Sequence, residues 1–260
     1  ITIDATGYKA VLCRKAGVHR GSTRYGVGAE YDMYAPKCSQ DEVVLIVGSQ
    51  VAPSGYGWVF PWGRGRVRVG VGIIHADSSA RPDDYLDRLI SSCGHLGINL
   101  QGAQPVEYHY GLVPSDGMPD TFVGDGIMGV GDAAGQASTL VGEGIRWAIK
   151  AGVMAGTVAV DAVRAKDVSR ESLFAYEKEW RLRYGRNLGI AAEINRRIAR
   201  WDDEKWDKRT ELLKLFSAVQ FAEALQANFV AGWPIQLLWS HPRLVREGVK
   251  EVFGRLGIGR

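Results

Sequence analysis

Gly129-Val130-Gly131-Asp132-Ala133-Ala134-Gly135, followed by Val141-Gly142-Glu143-Gly144-Ile145, is the stretch of sequence whose reading decides the fold. Ile127–Val130 reads as a short apolar strand that delivers the chain into a tight turn. Asp132 stands at the strand end, and small residues at 133–135 let a bulky ligand approach the backbone closely. From Gly142 to Arg164 the chain is rich in Ala, Ile and Val and free of proline, which predicts one long buried helix. The unbonded N–H groups at such a helix start make a site of positive potential. A reduced isoalloxazine gathers negative charge near N1 and O2, and a carboxylate can accept from sugar-like hydroxyls. The pair therefore suits a flavin better than a simple phosphate.

The flanking sequence predicts a mixed architecture. Ile1–Ile3 reads as a strand, Asp4-Ala5-Thr6-Gly7 as a turn, and the stretch up to Gly17 as helical. Residues 24–75 read as β, with Glu42–Val51 rich in Val and Ile and Arg66–Ile73 alternating with period two. Pro82 suits a first helical turn, Asp83–Ser92 carries apolar residues at helical spacing, and Val106–Val113 reads as a strand. Everything after Ser169 reads as helical, with Ser169 and Ser172 as N-caps and Pro234 and Pro242 as interruptions.

The G-D-A-A-G…G-E-G-I arrangement resembles the second flavin-binding motif of FAD-dependent reductases and hydroxylases of the p-hydroxybenzoate hydroxylase type. Its Glu143 form is similar to that of the geranylgeranyl reductase family. Asp4-Ala5-Thr6-Gly7 matches the family's turn near the cofactor. Gly55-Tyr56-Gly57-Trp58-Val59-Phe60-Pro61 resembles its substrate-side segment, and Val67–Gly72 its valine–glycine strand. Two positions depart from the pattern: Thr139 falls where relatives carry proline, and Ala10 where they often carry serine. The family's G-x-G-x-x-G unit, which binds the FAD diphosphate, does not precede Ile1, so weak FAD binding is the expectation for this chain. Gly124–Gly129 spells the same pattern but precedes a strand, so a hairpin turn is its reading.

The resemblance implies an α/β (α+β) flavoprotein in three parts. Residues 1–17 and 119–165 complete an FAD domain, 18–118 form a β-rich substrate domain, and 166–260 form a helical domain. It implies FAD, reduced by NAD(P)H or a ferredoxin-like donor, held by Asp4, Gly7, Gly131, Asp132, Gly142, Glu143 and Gly144. Tyr56, Trp58, Phe60 and Pro61 would line the path of a prenylated lipid or pigment precursor whose C=C bonds are reduced. An aromatic hydroxylase or halogenase, and a non-catalytic fragment binding lipid or a partner, are the competing readings. No proton donor is assigned: His75 and His109 read as structural or solvent-facing, and Ser115-Asp116-Gly117 as a surface turn. Glu143 reads either as a helix-start cap or as a neighbour of the reacting ring. The alternate aromatics at 56, 58 and 60 share one strand face, which core packing alone would also explain.

Composition limits the remaining classes. With 46% hydrophobic and 23% charged residues, the 260-residue chain is ordinary globular material. A net charge of +3 does not point to a nucleic-acid partner. From Tyr176 onward 16 Lys and Arg face 11 Asp and Glu; a solvated helical face explains this, and any membrane contact would be peripheral. Cys13, Cys38 and Cys93 are far apart and lack C-x-x-C spacing, so they read as buried thiols with no metal site. The N-terminus lacks a signal-peptide pattern, and a cytoplasmic location is expected.

Overall fold

The computed structural model of the chain describes residues 1–214 and 216–229. The chain divides into a unit from Ile1 to Trp206 and a second that begins at Asp207. The first unit holds two sheets. A small one has the order β1-β8-β7, from β1 (Thr2–Asp4), β7 (Val123–Gly124) and β8 (Ile127–Gly129). β1 runs parallel to β8, with Asp4 beside Gly129, while β7 and β8 form the hairpin read at Gly124–Gly129, turning through Asp125 and Gly126 at φ +68°. The α1 helix (Val11–Lys15) follows the first turn.

The larger sheet is antiparallel, in the order β3-β4-β5-β2-β6. Its strands are β2 (Tyr25–Tyr34), β3 (Val44–Ile46), β4 (Gly55–Gly63), β5 (Arg66–His75) and β6 (Gln104–Pro114). The strand expected over Glu42–Val51 shrinks to Val44–Ile46, because Gly48 at φ +120° turns the chain and its carbonyl accepts from the Val51 and Ala52 N–H groups. One face packs on α2 (Pro82–Ser92), burying Val59, Val67, Val69, Val71 and Ile73 against Leu86, Leu89 and Cys93. Full burial of each aliphatic side chain contributes about 1.5–3 kcal/mol, so this layer anchors the sheet.

The other face carries the aromatic stripe. Tyr56, Trp58 and Phe60 alternate with Gly57 and Val59, and the latter two are the buried pair on β4. Core packing against α2 therefore does not explain the stripe. Trp58 lies flat across glycines of the neighbouring strands: a Cβ on Gly70 would stand 2.2 Å from its ring, and one on Gly72 3.3 Å. The valine–glycine alternation of β5 thus serves both faces, valines into the core and glycines beneath the indole. Trp58 Nε1 donates to Glu30 Oε2 at 3.1 Å, fixing the ring's rotation.

The remaining helices are α3 (Ile145–Ala165), α4 (Arg170–Trp180), α5 (Arg186–Ile198), α6 (Asp203–Leu213) and α7 (Ala218–Leu225). A π-helical turn, Arg181–Gly185, joins α4 to α5. Ser169 caps α4 by accepting from the Ser172 N–H at 3.3 Å; Ser172 itself lies inside the helix and is not a cap. The tail is not wholly helical, since a non-helical break at residues 201–202 separates α5 from α6. In the second unit, Ser217 and Gln220 form a reciprocal capping box at the start of α7. Pro234 and Pro242 lie outside the described residues.

The seating of Trp58 yields a prediction. Gly70→Ala should destabilise the protein by about 1–3 kcal/mol in chemical denaturation, because the indole must leave its bed. In a Trp58→Ala background the same substitution should cost much less; equal costs in both backgrounds would remove the packing explanation.

Candidate functional site: the Asp132 turn and the loop before α3

Gly131–Ala134 forms a single 3-10 turn between glycines with positive φ, +60° at both Gly131 and Gly135. The Gly131 N–H donates to Gln136 Oε1 at 2.7 Å, and Gln136 Nε2 donates to the Tyr176 hydroxyl at 2.8 Å. Tyr176, buried on α4, also donates to the Gly129 carbonyl at 3.1 Å. Glycine at 131 is required by packing too, since a Cβ there would stand 2.9 Å from Ala148 on α3. The closest approach to Gly135 comes from the chain's own Gly117 carbonyl, 2.2 Å from where a Cβ would lie, and not from an open ligand face.

α3 starts at Ile145, three residues later than the sequence suggests, because Gly142 adopts φ +67° and residues 142–144 belong to the loop. That loop is closed without a proline. Ser138 and Glu143 exchange two backbone hydrogen bonds, 2.8 and 3.1 Å, and Gln136, Ser138 and Thr139 are buried. Glu143 does not cap the helix; its carboxylate holds Arg146 through two bonds of 2.9 and 2.7 Å. Trp147 anchors the helix start against Trp180 and Tyr184, with ring centroids 6.2 and 5.3 Å away.

The turn and the helix start meet at Asp132. A Cβ on Gly144 would stand 2.9 Å from Asp132 Oδ1. Burial pushes the Asp132 carboxyl above its usual range, and among the described residues no side-chain or backbone donor satisfies it. The carboxylate is half-buried and opens toward the cleft, where a ligand hydroxyl or water can pair with it. Asp132 and Ala133 line a cleft with Tyr8, Ala10, His19 and Met118. Its volume is about 60 Å³, room for roughly four or five waters, which suits a chain of hydroxyls and not an enclosed tricyclic ring. Gly142, Glu143 and Gly144 do not line it. A half-buried carboxylate without a described protein donor, beside a glycine-cleared helix start, fits the polyhydroxyl chain and ring edge of a flavin.

Asp4 and Gly7 support this site from within the chain. Asp4 is fully buried and accepts from the Cys13 N–H at 2.7 Å, the Thr6 N–H at 3.0 Å and the Thr6 hydroxyl at 2.6 Å. Burial alone would raise its carboxyl, but these donors outweigh it and hold the group below its ordinary range. Both oxygens are thus used by the protein. Gly7 provides a turn at φ +67° that leads into Ala10, itself left-handed at φ 43°.

Several site residues carry no sequence signal. His19 Nδ1 accepts from the Gly21 N–H at 3.0 Å, so the neutral ring keeps its proton on Nε2, beside the Ala133 carbonyl without completing a hydrogen bond. Burial lowers its affinity for a second proton. The Ser115–Gly117 segment is not a plain surface turn: Ser115 is buried, Asp116 accepts from the Thr23 and Arg24 N–H groups, and Asp116 and Gly117 line the cleft. Arg181 reaches the Pro119 carbonyl at 2.6 Å while pairing with buried Glu177, which fixes that wall to α4.

The aromatic stripe meets the loop before α3 through Tyr56. Tyr56 donates from its hydroxyl to the Val141 carbonyl at 2.6 Å, and burial pushes its own proton affinity up to about 12. Trp58 follows at 5.5 Å from Tyr56, and Phe60 at 6.0 Å from Trp58. Pro61 has the opposite parity on β4 and falls on the α2 side of the sheet. His75 stacks on Tyr25 at 5.0 Å. His109 Nε2 lies 3.7 Å from both Asp32 and Glu107 on the stripe's side of the sheet. Those three groups lie within metal-ligating reach of one another, but Arg68 already takes Asp32 Oδ1 at 2.7 Å. The three cysteines are buried and unpaired.

The Asp4 geometry predicts a pH signature. Its folded-state pKa is depressed, so its contribution is present above its unfolded value near about 4 and is lost as pH falls through the lower folded value. Asp4→Asn should lower stability at pH 7 by about 2–3 kcal/mol and flatten the acid limb of the stability curve. An unchanged acid limb would contradict the assignment.

Comparison with known proteins accords with this geometry. A family model described as the geranylgeranyl reductase catalytic domain matches residues 25–113, the span that holds β2, β4, β5 and the stripe. The chain is 32% identical over 260 residues to the digeranylgeranylglycerophospholipid reductase of Methanosarcina acetivorans, covering 97% of this chain and 62% of that protein. The digeranylgeranylglycerophospholipid reductase 2 of Methanothermobacter thermautotrophicus is 33% identical over 210 residues, 80% of this chain and 52% of that one. The chain thus spans about three-fifths or less of the length of these curated relatives. Among solved structures, a geranylgeranyl bacteriochlorophyll reductase-like protein of Thermoplasma acidophilum superposes with a TM-score of 0.79 at 26% identity, covering 94% of this chain and 60% of that one. The flavin-dependent halogenase CmlS, at 19% identity and a TM-score of 0.55 over 94% of this chain and 49% of its own, shares the fold alone. With its residues 25–113 matched by the family model, a shared fold and about a third of its sequence in common with these relatives, the chain belongs to the geranylgeranyl reductase family.

Proposed function

We propose that this chain carries the flavin-facing and alkene-facing parts of a reductase that saturates C=C bonds in a prenylated lipid or pigment precursor. The observation that carries the reading is the Tyr56–Val141 hydrogen bond of 2.6 Å, which ties the aromatic stripe to the loop ending at Gly144 and Asp132. Further support comes from relatives named as reductases of a digeranylgeranyl phospholipid. The proposed parts are those of the sequence: residues 1–17 and 119–165 at the FAD and 18–118 at the substrate.

A bound FAD, re-reduced by NAD(P)H or a ferredoxin-like donor, supplies the two-electron reducing chemistry. The protein's share is placement. Asp132 would accept from the cofactor's hydroxyls, and the backbone of Gly142–Gly144 at the start of α3 would hold the ring edge through its positive potential. Tyr56, Trp58 and Phe60 offer a flat apolar track on which an isoprenoid chain lies without unpaired polar groups, aligning an alkene and keeping water away. Gly70 and Gly72 keep that track low by letting the indole of Trp58 lie flat.

The unpaired Asp132 provides the test. Because burial raises its pKa and no protein donor satisfies it, Asp132→Asn should leave stability unchanged or raise it by about 0.5–1 kcal/mol. The same variant should weaken FAD binding at least about tenfold, read by quenching of flavin fluorescence. Loss of stability with unchanged FAD affinity would refute the cofactor role. Anaerobic incubation of the protein with FAD, dithionite and a geranylgeranyl phospholipid should add H2 per double bond by mass spectrometry. Oxygen-dependent turnover of an aromatic compound without alkene reduction would favour the hydroxylase or halogenase chemistry instead.

A further inference from the structure

We propose that the tip of the β4–β5 hairpin, Pro61–Arg66, docks this protein on an anionic lipid bilayer. Trp62 is 51% exposed, although its indole is the kind of side chain a fold usually covers. It sits where the β4–β5 register slips between Pro61 and Gly63, so it stands outside the regular pairing of the ladder. Gly63, Arg64 and Gly65 all adopt positive φ, +89°, +55° and +69°, which folds the turn tightly and places Arg64 at its end.

The charge at this tip is unbalanced. Residues 60–67 contain Arg64 and Arg66 and no acidic residue. Arg68, the next cation along β5, is neutralised by Asp32 at 2.7 Å, whereas Arg64 and Arg66 form no ion pair with a described residue. The guanidinium groups of Arg66 and Arg68 lie over the Trp62 ring, 5.0 and 4.4 Å from its centroid. Tyr34, 48% exposed, flanks the same turn, its ring 3.3 Å from where a Cβ of Gly65 would lie. An exposed indole and phenol ringed by guanidinium groups match the headgroup layer, where aromatic rings sit at the interface and Arg meets lipid phosphate. No described helix is long and apolar enough to cross a membrane, so contact of this kind would be superficial.

The tip also lies on the strand that bears Tyr56, Trp58 and Phe60. The role of the contact in substrate capture therefore rests on the proposed reductase reading, whereas bilayer binding does not.

Sedimentation with vesicles tests the surface, using the whole protein and phosphatidylcholine with or without phosphatidylglycerol. Partitioning should be at least about tenfold stronger to the anionic vesicles and should weaken as salt is raised. Trp62→Ala and the pair Arg64→Glu with Arg66→Glu should each remove most of that preference, with thermal unfolding little changed because Trp62 and Arg64 are exposed and neither arginine is ion-paired with a described residue. Equal binding of wild type and variants, or equal binding to neutral and anionic vesicles, would overturn the proposal. Because the assay involves neither flavin nor alkene, it stands or falls apart from the reductase reading. A second readout is alkene reduction: the variants should lose rate on vesicle-embedded substrate and keep it on detergent-dispersed substrate. Equal loss on both would also overturn the docking role.

Discussion

The absence of a side chain at residue 144 is the constraint on which the site depends. Any Cβ there would press on Asp132 at 2.9 Å, so only glycine lets the carboxylate lie against the start of α3. The turn that presents Asp132 is fixed in turn by Gly131 against Ala148 and by the Gln136–Tyr176 pair. Asp132 is half-buried and takes no hydrogen bond from a described residue, so its carboxylate is available to a ligand entering the cleft. Asp4 shows the contrast. It is equally a strand-end carboxylate, on the strand next to that of Asp132, yet three donors from its own chain consume it.

The larger sheet shows how one strand pattern can serve two faces. On β5, valines enter the core over α2 while glycines at the intervening positions accept the indole of Trp58. The result is a low aromatic surface that begins at the loop of the Asp132 site, where Tyr56 meets Val141, and ends at the exposed hairpin. The Asp132 turn, the aromatic stripe and the hairpin tip thus follow one another along hydrogen-bonded elements.

Much of this was legible in the residue order because it is local. The strand–turn–helix spacing around Asp132, the Asp4–Gly7 turn, the hairpin at Gly124–Gly129 and the two-residue alternation on β4 and β5 all act within a few residues. The misses are of two kinds. Boundaries moved where a glycine took positive φ, at Gly48 and Gly142, which composition does not reveal. Partners distant in sequence were invisible: Tyr176 beneath Gln136, Arg181 on the Pro119 carbonyl, and His19 and Asp116 in the cleft wall. Asp4 and Asp132 looked alike as letters, and only their hydrogen bonds separate a structural carboxylate from an available one.

The most direct test of the central claim is hydrogen–deuterium exchange of the protein with and without saturating FAD. The account predicts that protection concentrates in peptides covering residues 129–135 and 141–148, with a smaller effect at 55–60 through the Tyr56–Val141 bond. Protection confined to other segments, with the Asp132 turn and the start of α3 exchanging as before, would contradict it.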